Sequence, residues 1–315
     1  MQESECWKYA INMSAIMECV EIILGRDFML KLIVDSTCDM DEEMRKDLNV
    51  LPLSIIMDDI PYLDGIEVET KRVYDYMREG KLPKTSQISY VHLMDILKEI
   101  AANKDEAIYL TFSSKMSGSH DLARNTAREF LENNPGIRVE VVDSEGGSGG
   151  SSLLTLHTLE MIKNGLGIDE VLSNIEDMKK CIKYHFTLQD IAWLAKGGRV
   201  NTGLSTVGDM LDMKPYLTVR EGRIVVERLV RGRKKALRKI ADDIAADAKA
   251  YPDQLITISH GDDLESARIL EKYIMELLPN AKTRILSIGS VLGAHIGVGG
   301  VAAFCLTRRP PYEEG

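Results

Sequence analysis

Four short stretches of this sequence are rich in hydroxyls and glycine, and could hold an anion without using a charged side chain. They are Asp35-Ser36-Thr37, Thr85-Ser86-Gln87, residues 113–119 and residues 144–152. Hydroxyls, glycine-exposed backbone N–H groups and helix N-termini all donate hydrogen bonds, which suits a carboxylate or a phosphate. The same residues would also serve as plain helix caps; several such loops meeting at one sheet edge favour a ligand. Gly146-Gly147-Ser148-Gly149-Gly150 matches the GxSxG pattern of a serine hydrolase. Against that alternative, Asp143, Ser144 and Glu145 intervene between the preceding strand and this motif, the four glycines read as a floppy loop, and no HGGG-type oxyanion loop is present.

Two basic features stand apart from these loops. Arg233, Lys234 and Lys235 fall where a helix begins, against the positive end of its dipole. A solvated basic face accounts for them, as does a neighbouring anion or acidic partner. His295 lies in a Gly-rich apolar segment, where a histidine is by default structural.

The elements that must position these groups alternate between strand and helix. Strands are predicted at residues 30–34, 50–57, 107–112 and 138–142, with helices at about 69–79, 89–102, 119–133 and 152–162. Residues 83–89 read as a loop between helices, so placing Thr85 at the ligand edge is an inference. Such alternation implies a mainly parallel sheet with ligand loops at the carboxyl ends of its strands. After about residue 180 the pattern changes to strands with apolar–polar alternation, including a hairpin turning at Arg220-Glu221-Gly222-Arg223. A helix at 234–250, a strand at 255–259, a helix at 264–278 and strands near 284–288 and 301–307 complete the chain. The expected fold is therefore α/β in two domains: a mainly parallel one at 29–180, and one with a mixed or antiparallel sheet at 181–309.

Residues 11–24 are apolar, but Glu18 and Glu21 interrupt them and no basic start precedes them, unlike a secretory signal. Residues 1–28 are read as an extension, at most a peripheral helix. No stretch is long enough for an integral membrane segment. The net charge of −10 argues against nucleic acid or an anionic membrane surface as partner. The five scattered cysteines form no CxxC pair, so neither a zinc site nor a redox pair is expected, and a cytoplasmic location is. No GxxxxGK[ST] loop and no Rossmann fingerprint occurs, so no nucleotide cofactor is expected.

Seven motifs occur in an order that resembles the DegV family: Asp35-Ser36-Thr37, Pro83-Lys84-Thr85-Ser86-Gln87, Ser114-Lys115-Met116-Ser117-Gly118-Ser119, Lys196-Gly197-Gly198-Arg199, Met213-Lys214-Pro215, Arg231-Gly232-Arg233-Lys234-Lys235 and His295-Ile296-Gly297. The resemblance covers residues 30–308 and implies a two-domain protein that binds a long-chain fatty acid, with no other cofactor and no active site of its own. It places the carboxylate on Thr85 and Ser117, with Ser86 and Gly118 beside them, and a basic rim at Arg199, Arg231 and His295. It further implies a separate kinase subunit that forms the acyl phosphate. Ser119-His120 stands where the family often has Thr-Tyr, and Ile88 and Val298 replace common prolines, changes that bear on chain selectivity and the carboxylate loop.

Overall fold

A computed structural model describes residues 29–200 and 212–313; the predicted extension at 1–28 lies outside the described residues. The first sheet forms from apolar runs too short for a helix. β1 (Leu30–Asp35) is followed by the short α1 (Glu42–Arg45), which Asp41 caps by accepting the Met44 N–H. The single strand predicted at 50–57 is two. β2 (Asn49–Leu51) pairs with β1, whereas β3 (Ser54–Met57) belongs to another sheet. The break falls at Pro52, which has no N–H to continue the ladder, and the Leu53 N–H turns to the Ser36 hydroxyl. Asp58 and Asp59 follow with φ of 50° and 61°, a two-residue hairpin turn. The chain returns as β4 (Ile60–Leu63), in a stretch where no strand was predicted, and Pro61 is tolerated because β4 is an edge strand.

Next come α2 (Thr70–Arg78), β5 (Lys84–Ser86) and α3 (Tyr90–Asn103). β5 replaces the predicted loop and pairs antiparallel with β3, setting Thr85 opposite Ile55. Then follow β6 (Glu106–Thr111), α4 (Ser119–Glu132), β7 (Val139–Asp143), α5 (Ser148–Lys163) and α6 (Ile168–Cys181). The first sheet runs β2-β1-β6-β7, all parallel, and the small sheet runs β4-β3-β5, antiparallel.

The second sheet comprises β8 (Ile182–Thr187), β9 (Met213–Arg220), β10 (Arg223–Arg231), β11 (Leu255–His260), β12 (Lys282–Ser287) and β13 (Val301–Leu306), in the order β10-β9-β8-β13-β11-β12. Only β11 and β12 pair in parallel, so the sheet is mixed as predicted. The predicted hairpin is present, with Glu221 and Gly222 both at positive φ (49° and 74°). The intervening helices are α7 (Ala192–Gly197), α8 (Arg233–Asp247), α9 (Leu264–Leu277) and α10 (Ser290–Ile296), of which α7 and α10 were not predicted.

The layers follow from strand alternation. Leu32, Val34, Ile108 and Leu110 face α5 and α6, together with Tyr184, Phe186 and Phe304 of the second sheet. Ile33 and Tyr109 point the other way, toward α3 and α4. Ile256, Ile258, Ala303 and Cys305 pack under α8 and α9. Thus α5 lies between the two sheets, touching β1 on one side and β11 and β13 on the other. A helix covered on both sides must be small or apolar all round, and Gly149 through Thr155 are all buried.

Candidate functional site

The long predicted Gly/Ser loop at 144–152 is largely helix: α5 begins at Ser148, and Gly149 and Gly150 are in its first turn. These glycines are sterically demanded. A Cβ on Gly149 would stand 2.6 Å from the Phe304 ring and 2.6 Å from Ser259 Oγ, and one on Gly147 would stand 2.4 Å from the Phe112 ring. Aromatic side chains therefore rest directly on backbone. Gly149→Ala should lose about 1–3 kcal/mol through overpacking, a fall in Tm on the order of 5 °C. A thermal melt matching wild type would show that Phe304 is free to move away.

Two of the four hydroxyl-rich loops spend their hydroxyls mainly on holding the structure, although Gly147 and Ser148 of the second also border an apolar chamber. Asp35 is buried and accepts from the Thr37 hydroxyl, the Thr37 N–H and the Phe112 N–H, while Ser36 accepts from Leu53. Burial raises the Asp35 carboxyl above its ordinary range despite these bonds. Ser144 donates to the Gly146 carbonyl, and Ser152 to the Asp39 carbonyl. The Ser148 hydroxyl donates to the Asp39 carboxylate. Among the described residues no histidine bonds Ser148, so the Ser–His pair of a hydrolase is not assembled.

The other two loops meet in one cavity of about 370 Å³. Thr85, Ser86, Ser117, Gly118, Arg199 and His295 all line it. Thr85 arrives on β5. Ser117 and Gly118 arrive on the turn into α4, where Ser117 Oγ accepts the Ser119 N–H at 3.2 Å and Ser119 Oγ accepts the Ile88 N–H at 3.4 Å. That last bond ties the Thr85 segment to the Ser117 turn. The tip of the β9–β10 hairpin is fastened to the same turn, since Ser113 Oγ donates to the Gly222 carbonyl at 2.7 Å.

His295 Nε2 lies 2.9 Å from Thr85 Oγ1. Burial, assisted by the Arg199 charge, lowers its pKa to about 4. At neutral pH His295 is therefore an uncharged hydrogen-bonding group, not the cation expected of a basic rim. Arg199 is exposed at the mouth, where its Nη1 donates to the Gly197 carbonyl at 2.5 Å. Arg231 stands apart, exposed at the end of β10 and outside the cavity lining. Arg233 is committed elsewhere, to Asp263 and to the Gly299 carbonyl, whereas Lys234 and Lys235 are exposed.

Sequence reasoning did not assign the apolar half of the site. Phe112, Met116, Ile224, Leu292 and Ile296 line both the polar cavity and an adjoining chamber of about 70 Å³. Tyr184, Phe186 and Phe304 close the chamber from the second sheet. Gln87 also lines the polar cavity; its place in the Thr85-Ser86-Gln87 string was the available signal.

The profile of the DegV family, described as uncharacterised proteins, matches residues 29–308. The chain belongs to the DegV family. A DegV domain-containing protein of Clostridium perfringens is 32% identical over 286 residues, covering 89% of this chain and 98% of that one. Among solved structures, a DegV protein from Thermus thermophilus described as binding fatty acid is 27% identical with a TM-score of 0.79, covering 88% of this chain and 99% of the other. The Streptococcus pneumoniae Fatty Acid Kinase (Fak) B3 protein, loaded with linoleic acid, has the same DegV fold at 22% identity and a TM-score of 0.79, covering 89% of this chain and 100% of the other. No described helix is long and apolar enough to cross a membrane.

Proposed function

We propose that this DegV protein binds a long-chain fatty acid by its carboxylate and presents it to a separate kinase subunit, which forms the acyl phosphate. The observation that carries the binding reading is the junction of two cavities. A polar pocket with neutral donors at Thr85 and Ser117 adjoins an apolar chamber, with Phe112, Met116 and Ile224 lining both. A head group that needs hydrogen bonds and a tail that needs none fit that pair. The fatty-acid-binding Thermus relative supports the same reading.

The geometry also supports a role for His295. A neutral imidazole carrying its proton on Nε2 donates to Thr85 Oγ1, and the Thr85 hydroxyl is then free to donate to a carboxylate. With the proton on Nδ1 the bond reverses and Thr85 offers only lone pairs. Gly118, exposed at the N-terminus of α4, adds a backbone N–H and the favourable end of the helix dipole. Arg199 screens the charge at the mouth.

Native mass spectrometry of protein purified from a bacterial host tests this directly. A co-purifying fatty acid is expected; none found, and no binding after delipidation, would sink the reading. The kinase step rests on the family resemblance and on the exposed Arg231, Lys234 and Lys235. Arg231→Ala should leave fatty-acid affinity unchanged while lowering acyl-phosphate formation in a reconstituted assay at least tenfold, because rim charges act on association. Equal loss of both activities would instead place Arg231 in the binding site.

A further inference from the structure

The β9–β10 hairpin reaches from the second sheet to the ligand site, and three features divide it at one point. β13 registers with β8 along its whole length, from Thr187 to Ile182, whereas β9 registers with β8 only at Tyr216 and Leu217. Across the hairpin, β10 carries a bulge between Val226 and Arg228, the residues that face Leu217 and Tyr216. A bulge bends its strand and sharpens the local twist. Where β9 leaves β8, a surface cleft of about 550 Å³ opens, lined by Lys183 and His185 of one strand and Thr218 and Arg220 of the other. Val219 borders both this cleft and the apolar chamber, so the wall between them is there one strand thick.

The two ends of the hairpin are held differently. At the base, buried Tyr216 bonds to His185 and Asp243, and β10 runs directly into α8. At the tip, Gly222 is buried, its carbonyl accepting from Ser113 Oγ at 2.7 Å. Val200 adds an isolated backbone bridge to Ile224. Between base and tip, Val219 and Ile224 wall the chamber. A two-stranded ribbon is marginal by itself, so the distal half stays closed through that apolar wall and the contacts at its tip.

Resting on the fatty-acid reading, we infer that residues 218–224 form a strap over the acyl chamber, which hinges at Tyr216 and Leu217, unlatches from Ser113 and lifts to let the chain pass sideways between β8 and β9. The route suits the ligand. The polar cavity is bordered by Thr85, Ser86, Arg199 and His295, and a tail threaded past them would strip water from polar groups without pairing them. Lateral entry instead keeps the tail against Val219, Ile224 and Phe186 while the carboxylate travels to Thr85.

The test is stopped-flow mixing of the delipidated full-length protein with cis-parinarate, a fluorescent long-chain fatty acid, followed by its displacement with excess octadecanoate. In Ser113→Cys/Gly222→Cys a staple replaces the latch, since a Cβ on Gly222 stands 2.6 Å from Ser113 Oγ and a disulfide spans such an approach. Oxidised, this variant should bind and release the probe at least about tenfold more slowly than wild type, because a closed strap gates passage. Dithiothreitol should return both rates to at least those of wild type, which separates a fastened strap from a misfolded chain. Gly222→Ala, whose Cβ collides with Ser113 Oγ at a φ of 74°, should loosen the tip and speed both rates about fivefold, the value of one neutral hydrogen bond. In the unaltered protein, amides of residues 218–224 should exchange with deuterium faster than those of β13 before loading, and slow on loading. Wild-type rates in both the oxidised staple and Gly222→Ala, or exchange at 218–224 as slow as in β13 before loading, overturn the strap and leave fatty-acid binding standing. Failure of the wild-type protein to bind either acid overturns the fatty-acid reading itself, and the strap with it.

Discussion

Changing Thr85 and Ser117 together to alanine should weaken fatty-acid binding by at least about a hundredfold. On the proposed reading each hydroxyl donates to the ionised carboxylate, and a hydrogen bond to a charged group contributes about 1.5–3 kcal/mol. Two such losses exceed about 3 kcal/mol, which is more than two powers of ten in Kd. Both residues line the polar cavity from different elements, β5 and the turn into α4, so their effects should combine nearly additively unless the carboxylate slides to the survivor. Thr85→Ser is the informative control, since it keeps the hydroxyl that faces His295 and should retain most of the affinity. Calorimetry on delipidated protein reads the effect, and thermal melts check that the half-buried sites have not cost the fold. Affinity unchanged in the double variant would move the carboxylate away from these hydroxyls without touching the family assignment.

The elements were legible where one physical signal dominated. Continuous apolar runs marked β1 and β6, and the Arg220-Glu221-Gly222-Arg223 turn marked the second-sheet hairpin, because these features are local. β5 was not legible: three residues, Lys-Thr-Ser, carry no apolar period, and the strand exists only because β3 presents a free edge about thirty residues earlier. The glycines of α5 misled for a related reason. Glycine disfavours an isolated helix, yet here any side chain would collide with Phe304 or Tyr184, so packing outweighs propensity. α10, which carries His295, was hidden in the same way by Gly293 and Gly297.

The candidate site shows the same division. The hydroxyl-rich composition of the loops was visible, but which loops turn inward was not. Asp35-Ser36-Thr37 and Thr85-Ser86-Gln87 look equally able to bind an anion, and only tertiary pairing spends the first on the Phe112 and Leu53 N–H groups. The contact between Thr85 and His295 spans 210 positions and has no counterpart in any local pattern. The charge state of His295 was likewise beyond reach, because it follows from burial and from Arg199 rather than from residue type.

The largest effect of pH should come from two buried groups that oppose one another. Burial raises the Asp39 carboxyl from its ordinary value to about 6, outweighing the bonds from Ser148 and the Gly289 N–H. Its folded state thus holds a proton more tightly than the unfolded chain does, and stability falls as pH rises from about 4 to about 6. His295 has the opposite sign. Its pKa is lowered to about 4, so the unfolded chain binds the proton more tightly and stability rises from about pH 4 to about 6.5. Each shift corresponds to about 3 kcal/mol at 1.36 kcal/mol per unit, so in wild type the two contributions nearly cancel. Single substitutions should expose them. Relative to wild type, Asp39→Asn should gain about 3 kcal/mol of stability between pH 4 and 6.5, and His295→Gln should lose about as much. Asp35 and Asp64, also raised by burial, act alike in both variants and drop out of the difference. Urea unfolding midpoints at pH 4, 5 and 6.5 decide the matter, since parallel profiles for the two variants would mean that neither group is desolvated as its surroundings imply. Opposed slopes would establish that at neutral pH His295 is uncharged and Asp39 mostly ionised, the two states in which Thr85 can be freed to donate and Ser148 is held in place.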